Sequence, residues 1–335
     1  MTISLPDRIP LDAIKQARQR IKDSAVRTPL VRLPYEGPRE IWLKLETLQP
    51  VGSFKIRGAR SAIGALDDAR LRKGIYTASA GNMALGLAYC ARERNLPFTA
   101  IVPEDAPAIK LAALTRLGAR IVPVPFERWW NVLLEHRYDG VEGQFIHPVS
   151  DLAVMAGNGT IATEILEDLP HVEKVFVPFG GGGLACGIAS ALKALEPGAR
   201  VIGCEVDTAH PLTTSLEAGS PQTVPHARSF VDGIGAGGIL PEMWPLVKGL
   251  IEGAVVVSLE ETADAIRILV ERMRVVAEGA GAVPLAAALS GRAGGGTMCC
   301  VISGGNIDPA RLAAILTRSP GATEAGPAPA PVTAA

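Results

Sequence analysis

The chain has 335 residues, 48% of them hydrophobic and 20% charged, with 36 glycines and 26 prolines, which is typical of an α/β enzyme of two domains or one large one. The net charge is −1 and neither sign runs in blocks, so we expect neither nucleic acid nor a membrane as a partner. We see no signal peptide and no run of the roughly 20 apolar residues that a membrane span needs, which predicts a cytoplasmic protein.

Short apolar strands alternate with helices in the first half of the chain. One strand is predicted to end near Ser79, where a turn at Gly81 opens a helix. A later helix, from about residue 106, should end at Gly118, because glycine readily adopts the backbone conformation that closes a helix. Two further strands are predicted at residues 98–102 and 120–124.

A second alternating set begins near residue 172. The helix after residue 257 starts with a capping box formed by Ser258 and Glu261. The alternation favours parallel strands with right-handed crossovers, hence an α/β fold of two doubly wound, mostly parallel sheets that bind ligands beyond the carboxyl ends of their strands. The Ala- and Pro-rich residues 319–335 are predicted to be a disordered tail. The predicted strands are residues 175–179, 201–205, 254–257 and 298–302, and the helix after the first of them is residues 184–195.

Four consecutive glycines separate a predicted strand from a helix. Without side chains, the backbone can curl so that successive N–H groups point at an anion, and the positive end of the helix adds to the attraction. Phosphate is the natural ligand of such a turn; the alternative is a tight turn that only packs helix against sheet. The residues are Gly180, Gly181, Gly182 and Gly183, followed by Leu184.

The same turn also fits a dinucleotide-binding fingerprint. Gly180, Gly182 and Ala185 have the required G-x-G-x-x-G/A spacing. Glu205 ends the next strand, where an acid would bind the ribose of NAD. The residues alone therefore leave an NAD-binding protein open as a function of a different class.

Lys55 lies in a segment bounded by glycines, residues 52–58, between the apolar residues Phe54 and Ile56. An apolar setting lowers the pKa of an amine, and a lysine that forms a Schiff base needs that lowering. A lone lysine is more often a solvated surface charge, so this pattern becomes specific only together with the others.

Two polar turns complete the candidate site. The first opens a helix, so its N–H groups are suited to hold a carboxylate, and Asn82 adds a directional donor unless it is simply the N-cap. Ser303, in the turn after the last strand, offers a hydroxyl to the same cleft or is only part of a turn. The residues of the first turn are Ser79, Ala80, Gly81 and Asn82.

Cysteines and histidines give no sign of a metal site. The five cysteines form no Cys-x-x-Cys pair, and the five histidines lack zinc-like spacing. We expect reduced thiols in the core and no bound metal.

Together the motifs resemble those of the fold-type II pyridoxal-phosphate enzymes, and more narrowly the threonine/serine dehydratase and serine racemase group. The resemblance covers about residues 15–318 and rests on Gly-Ser-Phe-Lys-x-Arg-Gly, Ser-Ala-Gly-Asn, the tetraglycine and Ser-Gly-Gly-Asn, in that order. It implies a tryptophan synthase β-like fold with pyridoxal 5'-phosphate as cofactor. It displaces the dinucleotide interpretation, which leaves Lys55, Asn82 and Ser303 without a role.

The resemblance also implies a role for each motif. Lys55 carries the cofactor as a Schiff base and moves the proton at Cα of the substrate. The glycine turn binds the cofactor phosphate, Asn82 bonds its 3′-oxygen, Ser303 faces its pyridine nitrogen, and the turn that contains Asn82 holds the substrate carboxylate. The expected cofactor-binding residues are Lys55, Phe54, Asn82, Gly180, Gly181, Gly182, Gly183, Leu184 and Ser303.

Three features depart from the family pattern. Ala80 stands where serine racemases carry a serine that serves the opposite face of Cα, which favours dehydration over racemisation. Met83 and Leu85 replace the usual His and Gln, which predicts tolerance of larger apolar β-substituents unless both side chains pack into the core. Glu205 matches one acid of the cation site of serine racemase, but the second falls at or near Pro211, so we expect that site to be incomplete.

We therefore expect a lyase that converts a small β-hydroxy amino acid, such as L-threonine or L-serine, to a 2-oxo acid and ammonia. The alternatives are a lyase for a bulkier substrate such as phenylserine, an amino acid racemase, and a non-catalytic relative. The predicted domains are a large cofactor-binding one, residues 1–54 with 151–318, and a small inserted one, residues 55–150. We expect a homodimer or homotetramer.

Overall fold

The computed structural model of the chain describes residues 5–35, 37 and 39–317, so the tail at residues 319–335 lies outside the described residues. The helices are α1 (Leu11–Ile21), α2 (Lys55–Gly64), α3 (Asp68–Leu71), α4 (Asn82–Glu93), α5 (Ala108–Arg116), α6 (Phe126–Glu135), α7 (Leu152–Asp168), α8 (Gly183–Leu195), α9 (Pro211–Ala218), α10 (Trp244–Leu250), α11 (Leu259–Ile268), α12 (Gly279–Ser290) and α13 (Pro309–Thr317). The strands are β1 (Leu30–Arg32), β2 (Arg39–Leu45), β3 (Ile75–Ala78), β4 (Phe98–Pro103), β5 (Arg120–Val124), β6 (Gln144–Phe145), β7 (Lys174–Pro178), β8 (Arg200–Val206), β9 (Gly253–Val257) and β10 (Gly296–Ile302).

The larger sheet has the strand order β1-β2-β10-β7-β8-β9 and is parallel except for the edge strand β1. Its central strands are buried on both faces, as parallel strands between helix layers must be. On β10, Cys299 and Val301 pack into the core on one face, whereas Cys300 and Ile302 pack into the core on the other. The side chains alternate because successive residues of a strand point to opposite faces.

The smaller sheet has the order β5-β4-β3-β6 and is parallel throughout. Its strands lie between residues 75 and 145, inside the predicted small domain, and the described strands of the larger sheet lie outside that range. The prediction of an α/β fold with two mainly parallel sheets is confirmed. The exact domain boundaries stay a prediction.

Most predicted elements occur within two or three residues of their expected ends. The capping box at the start of α11 is present, with the Glu261 N–H donating to Ser258 Oγ over 3.0 Å and the Ser258 N–H donating to Glu261 Oε2 over 2.8 Å. Gly118 follows α5 with φ +83°, a conformation that glycine adopts without strain. No helix of the described part has both the length and the apolar character needed to cross a membrane.

Candidate functional site

A cavity of about 650 Å³ opens at the carboxyl ends of β3, β7 and β10. Ligands of parallel α/β sheets bind at such strand ends, because the turns there expose the N-termini of the following helices. The structure brings every predicted site residue into the wall of this one cavity. These residues are Phe54, Lys55, Ser79, Ala80, Gly81, Asn82, Gly180, Gly181, Gly182, Gly183, Leu184 and Ser303.

Lys55 is the first residue of α2 and is half-buried in the cavity wall. The preceding segment is fixed to the end of β10, because the Phe54 N–H donates to the Ser303 carbonyl over 2.9 Å. Lys55 Nζ donates to the Pro148 carbonyl over 3.2 Å and lies 5.1 Å from the centre of the Phe54 ring. Within the described residues, no carboxylate lies within ion-pair distance of it.

Burial lowers the pKa of Lys55 to about 8, and the carboxyl of Glu278 acts in the opposite direction. A buried ammonium without a counter-ion is costly, so the neutral amine is favoured. A neutral amine is the form that attacks a carbonyl carbon. The lowered pKa that the sequence predicted for Lys55 is therefore present, and its main cause is burial.

The glycine turn leads from β7 into α8. Gly182 has φ +91°, and a Cβ on Gly181 would lie 2.6 Å from a methyl group of Val149. A Cβ on Gly183 would lie 2.6 Å from the Val149 carbonyl oxygen. Glycine is therefore required at positions 181–183, and the bare backbone N–H groups stand at the positive end of a helix of 13 residues. This cradle fits a phosphate group.

Asn82 is held by side chains from two distant segments. Its Nδ2 donates to Glu278 Oε1 over 2.8 Å, and its Oδ1 accepts from Asn306 Nδ2 over 2.8 Å. The alternative that Asn82 is the N-cap is wrong, because Gly81 caps α4 and Asn82 is its first residue. Because the amide nitrogen carries two hydrogens and Glu278 takes one, Asn82 still has an N–H to offer the cavity.

Glu278 was missed by the sequence analysis. It precedes α12, is 7% exposed and lines the cavity. Burial raises the pKa of its carboxyl to about 7, while the hydrogen bond from Asn82 opposes the rise. An acid directly before a Gly-Ala-Gly helix start was a visible signal, but nothing local to it pointed to the cavity.

The remaining predicted residues are placed as follows. Ser79 Oγ accepts from the Gly81 N–H over 3.2 Å, so the hydroxyl braces the turn expected to bind a carboxylate. Ser303 is 3% exposed at the end of β10. Met83 is 2% exposed and packs in the core of the small sheet, although its atoms also reach the cavity wall. Leu85 lines a neighbouring cavity of about 480 Å³.

A second missed feature is a pair of stacked histidines behind Lys55. His147 Nδ1 accepts from the N–H groups of Val149 and Ser150 over 3.1 and 2.8 Å, which fixes the loop whose Pro148 carbonyl meets Lys55. Burial, with a smaller effect of the nearby His136, lowers the pKa of His147 to about 3, so its ring is neutral. Sequence spacing gave no sign of the pair, because only the fold brings the two rings together.

The histidine pair is poorly arranged for a cation. The rings of His136 and His147 stack at 4.3 Å and 18°, and Glu242 Oε1 lies 3.3 Å from His136 Nε2. Ligand atoms of these three residues lie within 4.8 Å of one another. Stacked rings cannot both aim an in-plane lone pair at one ion, however, and His147 Nδ1 is already an acceptor.

Glu205 is buried inside β8 and caps the next helix. Its carboxylate accepts from the N–H groups of Leu212 and Thr213 over 2.7 and 2.9 Å and from the Thr213 hydroxyl over 2.8 Å. The carboxylate therefore stabilises the start of α9. Because both carboxylate oxygens are bonded in this way, Glu205 is not available to bind ribose as the NAD interpretation requires.

Comparison with known proteins agrees with the geometry. The family described as "Pyridoxal-phosphate dependent enzyme" matches residues 21–304. The L-threonine ammonia-lyase of Thermotoga maritima is 40% identical over 306 residues, which is 90% of this chain and 76% of that protein. The catabolic L-threonine dehydratase of Escherichia coli K12 is 36% identical over 323 residues, 94% of this chain and 98% of that protein.

Solved structures of similar proteins cover nearly the whole chain. The serine racemase of Dictyostelium discoideum superposes with a TM-score of 0.81 at 32% identity, covering 90% of this chain and 99% of that one. Maize serine racemase gives a TM-score of 0.83, also at 32% identity, covering 92% of this chain and 96% of the other.

Proposed function

Because the chain belongs to the family of pyridoxal-phosphate-dependent enzymes, we propose that it removes water and then ammonia from a β-hydroxy amino acid of the L-threonine and L-serine class. The Cα proton and the Cβ hydroxyl leave as water. Hydrolysis of the resulting enamine gives a 2-oxo acid and ammonia. No oxidant or reductant is needed, because the water lost in the first step balances the water consumed in the second, and the net products are the 2-oxo acid and ammonia.

The observation that carries this proposal is the position of Lys55 in the same cavity as the glycine cradle. An amine with a pKa of about 8 and a backbone turn suited to phosphate are the two anchors that pyridoxal phosphate requires. When bound, the cofactor supplies an electron sink for the charge that develops at Cα. The residues present fit the cofactor.

The residues of the cavity would bind and orient the cofactor and the substrate. We assign Lys55 to the covalent link and to the movement of the Cα proton, and the N–H groups of the glycine turn and Leu184 to the phosphate. Asn82 would present to the cofactor 3′-oxygen the second hydrogen of its amide nitrogen, since the first is bonded to Glu278. The N–H groups of residues 79–82 receive the substrate carboxylate, and the Ser303 hydroxyl faces the pyridine nitrogen. A neutral hydroxyl at this position would leave that nitrogen unprotonated, which would suit elimination better than transamination.

We further propose that the enzyme works in the cytoplasm as a homodimer or homotetramer. The buried state of the five unpaired cysteines supports a reducing compartment. Sedimentation of the purified protein would give the oligomeric state directly, and a monomer at working concentration would contradict this part of the proposal.

The proposed function is tested by colour, by trapping and by turnover. The purified protein should be yellow, and borohydride reduction should attach the cofactor to the peptide that contains Lys55, as seen by mass spectrometry. A keto-acid assay should then show turnover of L-threonine or L-serine. A colourless protein that binds NAD would overturn the proposal.

A further inference from the structure

Helix α6 carries three aromatic side chains on one face. Phe126, Trp129 and Trp130 have the spacing i, i+3 and i+4, which places them on the same side of a helix. The rings of Phe126 and Trp129 lie 5.6 Å apart and those of Trp129 and Trp130 lie 6.3 Å apart, so they form a continuous row. We call these three residues the aromatic face.

The aromatic face lines the cavity that contains Lys55. Because α6 follows β5 directly, its first turn stands at the carboxyl edge of the small sheet, where the cavity opens. Two of the four tryptophans of a chain that is only 4% aromatic lie here, which is a marked concentration. Trp130 packs both against the core of the large sheet and against the core beneath the small one, so it spans the cleft.

Part of the apolar surface of this face is left uncovered. Phe126 is 61% exposed, more than any other large hydrophobic side chain of the described residues. Val149, Val231 and Ile234 add further apolar surface to the cavity wall. Apolar, aromatic surface in a concave site is typical of a place where a ligand is bound.

The charged side chains at the mouth of the cavity are paired with one another. Lys110 Nζ donates to Asp232 over 2.6 Å, and Arg228 pairs with Asp105. Each pair is neutral overall, so neither adds a net charge that would attract a charged group on the substrate. The part of the cavity around the aromatic face therefore favours an uncharged, apolar group.

We propose that the aromatic face receives the β-substituent of the substrate, and that this substituent is an aryl group. The preferred substrate would then be a β-hydroxy-α-amino acid with an aromatic ring on Cβ, such as phenylserine. The cavity of about 650 Å³ must hold the cofactor as well as the substrate, and the aromatic face adds apolar wall beyond the residues assigned to the cofactor and the substrate carboxylate. This inference rests on the proposed function and narrows its substrate class.

The reaction keeps the same balance with the larger substrate. The proton on Cα and the hydroxyl on Cβ leave as water, and one water then displaces ammonia from the enamine. The aryl group stays on Cβ, so phenylserine yields phenylpyruvate and ammonia. Only the group that stays on Cβ touches the aromatic face.

Binding can be measured apart from turnover. L-phenylalanine and L-alanine lack a leaving group on Cβ, so the holoenzyme binds them without elimination. Calorimetry should show L-phenylalanine binding at least about tenfold more tightly, which is about 1.4 kcal/mol, and its binding should change the tryptophan fluorescence. Trp130→Ala and Trp129→Ala should remove that preference, because stacked rings contribute about 0.5–1.5 kcal/mol beyond the buried area. Leu134→Ala is the matched control, because Leu134 is exposed on the same helix but lies outside the cavity wall.

Turnover gives the second measurement. In the parent, kcat/KM for phenylserine should exceed that for threonine, and Trp130→Ala should lower the phenylserine value at least about tenfold more than the threonine value. Should Trp130→Ala fail to fold by circular dichroism, Trp130→Leu keeps most of the volume and removes the aromatic ring. Equal binding of the two probe amino acids by the parent, or a change in the kcat/KM ratio below about threefold in every folded variant, overturns the inference.

The two proposals fail in different ways. Elimination from threonine without any preference for aromatic ligands would support the proposed function and refute the proposed role of the aromatic face. Tight binding of L-phenylalanine that depends on Trp130, without turnover of any β-hydroxy amino acid, would support the aromatic face as a ligand site and refute the proposed function.

Discussion

Two basic side chains that stand two positions apart on α2 lie in opposite environments. Arg57 is fully buried and donates to both carboxylate oxygens of Glu46 and of Glu164 over 2.7–2.8 Å. Lys55 faces the cavity and has one neutral acceptor, the Pro148 carbonyl. Burial opposes the charge in both cases, but the two carboxylates outweigh it at Arg57 and hold its pKa above the ordinary range, whereas the pKa of Lys55 falls to about 8.

The contrast shows how one helix serves both structure and chemistry. The Arg57 guanidinium ties α2 to the turn at Glu46 and to α7, which fixes the backbone from which Lys55 projects. Lys44 Nζ adds a further bond to Glu164 over 2.6 Å. Complete pairing keeps the Arg57 side chain charged, whereas the lack of a counter-ion favours the neutral amine at Lys55.

The largest effect is expected at Lys55. Lys55→Ala should lower turnover by about 10³-fold or more, because it removes the group that we propose for both the proton transfer and the covalent link. The fold should remain, as checked by circular dichroism, and Lys193→Ala is a matched surface control, since Lys193 is half-exposed. Retention of more than about a tenth of the rate, a cost below ~1.4 kcal/mol, would exclude Lys55 as the proton-transfer base.

Arg57→Met should act on stability instead. Removing the buried guanidinium leaves Glu46 without its ion-pair partner and Glu164 with Lys44 alone, at a cost of about 3–5 kcal/mol in the free energy of unfolding. Urea unfolding measures the loss. Arg18→Met, which breaks a half-exposed pair with Glu167, should cost about 1 kcal/mol or less. Similar losses in the free energy of unfolding for the two variants would contradict the view that the buried ion pairs of Arg57 stabilise the fold more than the half-exposed pair of Arg18.

Lys55 should also destabilise the cofactor-free protein in a pH-dependent way. Its pKa in the fold, about 8, is lower than the ordinary 10.5, so between these values the unfolded chain binds more protons and stability rises with pH. Lys55→Met should therefore have a higher free energy of unfolding than the parent at pH 7, by no more than about 3 kcal/mol, as measured by urea unfolding. That advantage should shrink as the pH rises from 8 to 10.5. A constant difference across this range would show that burial does not control the Lys55 amine.

Ala80 lines the same cavity as Lys55. Without a hydroxyl at this position, keto acid should form from L-serine at least about 100-fold faster than D-serine, since a positioned acid–base group contributes about 10²–10⁴-fold. Ala80→Ser should raise the rate of D-serine formation while leaving the cofactor bound. Chiral chromatography measures both products, and comparable rates in the parent would show that another group serves the second face of Cα.

The placement of Lys55 and the glycine turn in one cavity was predictable because the signals of both are local. Lys55 and the glycine turn each act through a short contiguous segment whose chemistry depends on backbone freedom and apolar neighbours. Glu278 was not predictable, because it meets Asn82 across 196 positions of sequence and only the fold brings the two side chains together. The strands β1 and β6 have three and two residues, too short for periodicity to show them.

The smallest effect is expected at Met83 and Leu85, on the first turn of α4. Asn82 faces the cavity, whereas Met83 is 2% exposed in the core of the small sheet and Leu85 lines the neighbouring cavity. The structure thus favours the alternative that these positions are packing, and tolerance of large substrates should come from elsewhere in the cavity. Met83→His/Leu85→Gln should leave the ratio of kcat/KM for phenylserine and threonine within about twofold, while the buried histidine lowers the free energy of unfolding by about 1–3 kcal/mol. Kinetics with serine, threonine and phenylserine, beside urea unfolding of the same preparation, separate the two effects. A changed ratio at unchanged stability would place these side chains against the substrate after all.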